Sequence, residues 1–190
     1  PVTGALLYTP GGWGTERGTP IGIYMVLDGF SVLMLCVINL LGFAALFYSL
    51  SYIRKYTAEA NYYALFCVIV AGMNGVVLSG DLFNLFVFLE VSVIASYALV
   101  AFGVGKTELE ASFKYQVLGG LASMLILLAI TLIYWQTKTL NIVDIKTLLN
   151  GSGGSTYYLF IQILLITGFG LKAALMPFHA WLPDAHASAP

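Results

Sequence analysis

Five long apolar stretches, separated by short polar or glycine-rich segments, dominate the hydrophobic pattern of the chain. A helix needs about 20 apolar residues to cross the hydrocarbon layer of a membrane, whereas a barrel strand needs only about 9–11 residues and alternates in polarity. The stretches have the helical length and lack the alternation. We therefore predict an all-α integral membrane protein with about five transmembrane helices, near residues 23–50, 61–80, 82–104, 111–135 and 155–176.

The segments outside these stretches complete one predicted membrane domain, residues 1–190. Glycine and proline are frequent in residues 1–22, which we predict to be an extramembrane loop. Residues 177–190 are predicted to contain a helix break, irregular until after residue 186, and the start of a further segment. Asp28 and Asp81 precede apolar stretches, where a carboxylate favours a helix N-terminus. We expect both to be helix caps, and for Asp81 we prefer this role to one in ion entry.

The composition supports a membrane protein and excludes several other classes. Hydrophobic residues make up 59% of the chain and charged residues only 9%, whereas soluble domains have about 25% charged residues. The net charge of −1 gives no reason to expect a nucleic-acid partner. Cys36 and Cys67 both lie in apolar stretches, so we expect small buried side chains rather than a disulfide or a metal pair.

Two charged residues inside the apolar stretches are the strongest candidates for chemistry. Glu90 has no other charge near it in residues 82–104, and Lys172 lies near the end of the last stretch. A charge at the centre of a membrane helix costs about 2.5–3.5 kcal/mol and usually has a function. The alternative for Glu90 is a structural hydrogen bond to another helix. The alternative for Lys172 is an ammonium group that reaches the membrane surface along its flexible stem.

Pro177 follows Lys172 by five residues and predicts that the last helix is broken close to the charge. Proline has no backbone N–H, and its ring collides with the carbonyl four residues back, here that of Ala173. A backbone group exposed at membrane depth is tolerated only inside protein or against water. We therefore expect water at the Lys172 ammonium.

Four further polar residues have two possible roles each. Lys114 follows Glu110 by four residues, the spacing of an ion pair on a helix surface, or it belongs to an ion path. His179, Asp184 and His186 could relay protons or could only orient the helix break. Their number and spacing do not predict a zinc site, and no cofactor-binding motif is recognisable. We therefore predict no metal, no cofactor and no catalytic site within this chain.

Three segments carry a family resemblance. Residues 171–190, LKAALMPFHAWLPDAHASAP, resemble the seventh-helix motif of the antiporter-like membrane subunits of respiratory complex I, Mrp-type sodium/proton antiporters and membrane-bound hydrogenases. Residues 110–123, EASFKYQVLGGLAS, are similar to the sixth helix of these subunits. Residues 79–103, SGDLFNLFVFLEVSVIASYALVAFG, look most like the D-type Mrp subunit and its hydrogenase counterpart.

The resemblance implies a fragment or split part of a fold of about fourteen helices, in the cell membrane. It implies that Glu90, Lys114 and Lys172 form a proton pathway, with Lys114 paired to Glu90. The expected function is translocation of protons, with or without exchange for sodium, as one subunit of a respiratory, hydrogenase or antiporter complex. The expected partners are other membrane subunits and the lipid bilayer. The alternative is a non-conducting subunit that only supports such a complex.

Overall fold

The computed structural model describes residues 5–10, 22–56, 58–149 and 156–190 and is mostly helical. Within these residues, four helices are long and apolar enough to cross a membrane, and a fifth apolar helix is shorter. The elements in chain order are β1 (Leu6–Tyr8), β2 (Met25–Leu27), α1 (Gly29–Tyr52), α2 (Glu59–Leu78), α3 (Leu82–Val100), α4 (Lys106–Thr137), α5 (Ile142–Leu149), α6 (Thr156–Lys172) and α7 (Leu182–Ser188). The fold is that of an all-α membrane protein with one small strand pair.

Helix α4 is the centre of the packing. It contacts α3, α5, α6 and α7. One buried cluster joins Ala129 and Ile133 of α4 to Ile145 of α5 and to Ile161 and Leu164 of α6. At 32 residues, α4 begins before the predicted span. Lys106, Glu108 and Glu110, which precede the predicted span, therefore lie within the helix.

The first helix begins later than the hydrophobic pattern suggests, because residues 25–27 form a strand. Strand β2 pairs antiparallel with β1, which lies in the segment expected to be loop. Asp28 then caps α1, since its Oδ1 accepts a hydrogen bond of 2.7 Å from the backbone N–H of Ser31. The same bond holds the pKa of Asp28 below its usual range.

The turn between α2 and α3 is held at both sides by backbone hydrogen bonds. Gly80 donates its N–H to the carbonyl of Tyr24 and accepts from Ile142. A Cβ at Gly80 would lie 2.7 Å from a methyl of Val26, so the close approach of β2 requires glycine here. Buried Asp81 accepts from the N–H of Asn84 at 2.6 Å and therefore caps α3 as expected.

Helix α6 ends at Lys172 through its own backbone and not through Pro177. The N–H of Leu175 donates to the carbonyl of Gly170, and the N–H of Ala174 donates to that of Leu171. Ala174 has a φ of 50°. This left-handed conformation and the two hydrogen bonds together form a common type of helix C-terminus. The predicted clash of Pro177 with the Ala173 carbonyl was wrong, because the helix has already ended before that residue.

A second difference concerns the residues after Pro177, which are not irregular as far as residue 186. Helix α7 begins at Leu182, with Pro183 in its first turn, where a missing N–H costs nothing. Before it, the indole N–H of Trp181 donates to the carbonyl of Leu171 at 3.0 Å. Trp181 and Ala185 also pack in a buried cluster with α3 and α4. The chain therefore folds back against the bundle after α6.

Candidate functional site

A partly buried ion pair joins the two residues that the sequence singled out. The ammonium of Lys172 donates to Oε1 of Glu90 at 2.9 Å. The Lys172 side chain is 9% exposed and that of Glu90 is 25% exposed. Since Glu90 lies within α3 and Lys172 ends α6, the contact is between helices. Lys172 therefore reaches a carboxylate, which does not fit an ammonium group stretched towards the membrane surface.

Close packing of α6 on α4 brings the lysine into position. Gly168 precedes Lys172 by one helical turn and faces α4. A Cβ at Gly168 would lie 2.6 Å from the side chain of Ile126 and 3.1 Å from the carbonyl of Ala122. Small residues at membrane helix contacts allow backbones to approach this closely. Glycine at position 168 thus permits the close approach of α6 to α4 one turn before Lys172.

Ser123 of α4 is the third member of the site, and the sequence did not identify it. Its hydroxyl lies 2.6 Å from Oε1 of Glu90 and 2.9 Å from the carbonyl of Gly119. A hydroxyl has one proton and two lone pairs. Ser123 can donate to ionised Glu90, or it can donate to Gly119 and accept from Glu90 when that carboxyl is protonated. The site can therefore accommodate both protonation states of Glu90.

Lys114 does not pair with Glu90 in this structure. Its ammonium lies 2.7 Å from Glu110 and 3.0 Å from Asp184 of α7. The side chains of Lys114 and Asp184 are each 47% exposed. The helix-surface pair with Glu110 agrees with the four-residue spacing, and the contact with Asp184 ties α7 to α4. Lys114 thus belongs to a second charged cluster, separate from Glu90.

The two histidines are not brought into either cluster. His179 lies in the turn before α7 and His186 in its last helical turn, and both are exposed. Pro177 is likewise exposed and lies between α6 and α7.

The part of the chain that the structure describes contains no group of three or more histidine, cysteine, aspartate or glutamate side chains suited to a metal ion. Cys36 and Cys67 are free and exposed, which corrects the prediction that they are buried.

Three aromatic rings pack against one another beside Lys172. The Tyr97 ring meets the edge of Tyr115 at 4.5 Å between centroids, and Tyr115 stacks on Trp181 at 4.3 Å. The sequence did not single out this group, because aromatic residues are frequent throughout the chain. Their juxtaposition depends on the return of residues 173–190 against α3 and α4.

Comparison with known proteins assigns more than half of the chain to one protein family. Residues 79–190 match the family described as "NADH:quinone oxidoreductase/Mrp antiporter, TM". This range contains both charged clusters and all three aromatic rings.

The relatives include subunits of NADH-quinone oxidoreductases and subunits of Na(+)/H(+) antiporters. The chain is 38% identical to NADH-quinone oxidoreductase subunit N of Desulforudis audaxviator, over 90% of this chain and 34% of that protein. It is 34% identical to the D-type subunit of a Na(+)/H(+) antiporter of Alkalihalophilus pseudofirmus, over 90% of this chain and 35% of that protein. The chain thus spans about a third of the length of these relatives.

A solved structure shares the fold. A chain of the membrane-bound sulfane sulfur reductase, an archaeal respiratory membrane complex, superposes with a TM-score of 0.87 at 36% identity. The match covers 96% of this chain and 36% of the other. The resemblance seen in the sequence is confirmed, and the chain belongs to the family of antiporter-like membrane subunits of NADH:quinone oxidoreductases and Mrp antiporters.

Proposed function

We propose that this chain takes part in proton translocation across the membrane, with Glu90 and Lys172 as the proton-exchanging pair. The observation that carries this proposal is the partly buried contact of 2.9 Å between the two groups, on different helices of a bundle with long apolar helices. Holding two charges away from water is costly. An apolar pair of similar volume would pack the helices without that cost, so a purely structural role gives no reason for ionisable groups here.

The proposed step is a proton transfer between the two members of the pair. When the proton leaves the Lys172 ammonium for Glu90, both groups become neutral and their attraction is lost. Ser123 then accepts a hydrogen bond from the carboxyl and turns its own proton to the Gly119 carbonyl. The neutral amine then takes a proton that arrives as hydronium through water, and the carboxyl gives its proton to a water molecule on its other side, which restores the ammonium and the carboxylate. Repeated exchange of this kind would move protons through the site.

We propose that the Lys114–Asp184 cluster is the next proton-exchanging site after the Glu90–Lys172 pair. Lys114 precedes Ser123 by nine residues on α4, about 14 Å along the helix axis. The two clusters are therefore more than two helical turns apart along α4, and we propose that water carries the proton between them. The sequence leaves His179, Asp184 and His186 with two possible roles each, as proton relays or as residues that orient the helix break. We retain Asp184 in the path because it contacts Lys114, and we assign no step to the exposed histidines.

The proposed setting is a multisubunit complex in the cell membrane. The relatives are named as subunits of an NADH-quinone oxidoreductase and of a Na(+)/H(+) antiporter, and the solved structure is a respiratory membrane complex. By analogy, the proton movement in this protein is driven either by a redox partner or by exchange for sodium. Large exposed apolar side chains along α1, including Phe43 and Phe47, suit contact with lipid or with other membrane helices.

The proposal is tested by proton flux in vesicles that contain the assembled complex and a pH-sensitive dye. Glu90→Gln keeps the shape and an oxygen that can accept from Lys172, but it cannot exchange a proton. We expect its flux to fall at least tenfold while assembly is preserved. Glu59→Gln is the matched control, because Glu59 is exposed at the first residue of α2 and belongs to neither charged cluster. Normal flux in Glu90→Gln would instead support the alternative of a non-conducting, supporting subunit.

A further inference from the structure

A small cavity lies beside Lys172. Its volume is about 20 Å³, and its lining consists of Val93, Tyr97, Tyr115, Gly119, Leu171, Lys172 and Trp181. A cavity needs about 10–15 Å³ to hold one water molecule. The space is therefore sufficient for one water, and the polar side-chain groups of the lining residues include the Lys172 ammonium and the Tyr97 hydroxyl.

Tyr97 supplies an unusual polar group at this cavity. Among the buried side-chain nitrogen and oxygen atoms of the described residues, the Tyr97 hydroxyl is the one without a hydrogen-bond partner in the protein. Buried polar groups nearly always find a partner, in protein or in ordered water. The edge contact with Tyr115 and the stacking of Tyr115 on Trp181 keep the Tyr97 ring from turning away.

Lys172 supplies the second polar group. Its ammonium has three N–H donors, and Glu90 accepts one of them. A water in the cavity can accept a second donor and form a further hydrogen bond to the Tyr97 hydroxyl. Two polar partners meet the lower limit for an ordered buried water.

We propose that the cavity binds one ordered water that bridges the Lys172 ammonium and the Tyr97 hydroxyl, and that Tyr97 is a positioning residue for this water. The water extends the hydrogen-bonded group from Glu90 and Lys172 towards the Lys114–Asp184 cluster. The effect on transport rests on the proposed function, whereas the water site itself does not.

Two adjacent glycines of α4 provide a matched test. A Cβ at Gly119 would overlap the Tyr97 hydroxyl, whereas a Cβ at Gly120 has no atom within 4 Å. Gly119→Ala therefore displaces the hydroxyl and fills part of the cavity. Gly120→Ala makes the same chemical change one residue away and leaves the cavity as it is. Tyr97→Phe removes only the hydroxyl, and it provides the test of the water site if Gly119→Ala disturbs the packing of the helices.

The water is sought in a high-resolution density map of the assembled complex, and proton flux is measured in vesicles for each variant. We expect density within hydrogen-bonding distance of Tyr97 and Lys172 in the parent and in Gly120→Ala, and none in Tyr97→Phe or Gly119→Ala. Loss of one such hydrogen bond predicts a flux about tenfold lower in the latter two variants.

A dry cavity in the parent, or water that persists at full occupancy in Tyr97→Phe, would overturn the water site. Normal flux in Tyr97→Phe together with loss of the water would overturn the positioning role. The proposed function fails separately, through normal flux in Glu90→Gln, and that result leaves the density test of the water site intact.

Discussion

Replacement of Lys172 by methionine tests how strongly the buried pair holds the bundle together. Methionine is unbranched and apolar, so it keeps much of the lysine stem and removes only the charge. In Lys172→Met the Glu90 carboxylate loses its counter-charge and keeps the hydrogen bond from Ser123. The sequence alone suggests that removal of the lysine relieves a costly buried charge. With Glu90 as its partner, the same change instead leaves an uncompensated carboxylate.

The expected cost follows from the geometry. At 2.9 Å and an effective dielectric constant of about 20, two unit charges attract by about 6 kcal/mol before desolvation is counted. Breaking a buried pair by removing one partner costs about 3–5 kcal/mol. Because the Glu90 side chain is 25% exposed, solvent screening reduces this cost. We expect Lys172→Met to lower the free energy of unfolding by about 3 kcal/mol.

The assay is a double-mutant cycle with Glu90→Gln, measured by reversible unfolding in mixed detergent micelles. Once the Glu90→Gln change has removed the carboxylate, loss of Lys172 leaves no unpaired charge. We expect the double variant to be more stable than the sum of the single changes predicts, by about 2 kcal/mol, or about 30-fold in the unfolding equilibrium constant. Lys106→Met, at the exposed first residue of α4, controls for the loss of a lysine. Single changes that simply add would refute the coupling.

The remaining predictions concern the charged clusters and the helix ends. Lys172→Arg should abolish proton flux, because arginine stays protonated in proteins, while its guanidinium keeps the ion pair with Glu90; an active variant would mean that the charge is static. Lys114→Ala and Asp184→Asn should each lower flux severalfold in vesicles, and equal, mild effects on stability without loss of flux would reduce this cluster to a tether for α7. Ala174→Gly should raise the free energy of unfolding by about 0.5–1 kcal/mol, because glycine adopts the left-handed φ of 50° without a Cβ clash; destabilisation would contradict that interpretation of the helix end. Asp81→Asn should keep both the cap and the flux, whereas Asp81→Ala should lower stability by about 1 kcal/mol.

The sequence identifies the individual charges of the site but not their partners. Glu90 and Lys172 are visible because a charge interrupts an apolar stretch. Their mutual contact is not visible, because it joins residues 82 positions apart on two different helices, α3 and α6. For Lys114 the resemblance predicted a pairing with Glu90, but the residue lies nine positions before Ser123 and contacts Asp184 instead.

Hydroxyl groups within the helices carry still less signal. Ser92 and Ser96 also lie in the span of α3, yet each donates to a carbonyl of its own helix. Nothing in the local sequence distinguishes them from Ser123, which reaches Glu90. The pairing of β1 with β2 is likewise hidden, because it joins residues almost twenty positions apart. Pro183 has the appearance of a helix breaker in the sequence, although proline is tolerated in the first turn of a helix.

Infrared difference spectroscopy of the assembled complex tests most directly whether Glu90 exchanges a proton during transport. A pH gradient is imposed on vesicles, and the carbonyl stretch of a protonated carboxyl group is followed with the Glu90→Gln variant as the assignment control. If Glu90 and Lys172 form the proton-exchanging pair, a carboxyl band that is absent in Glu90→Gln appears and decays with proton flux. A Glu90 carboxylate that stays ionised while protons cross the membrane at the normal rate would contradict this mechanism.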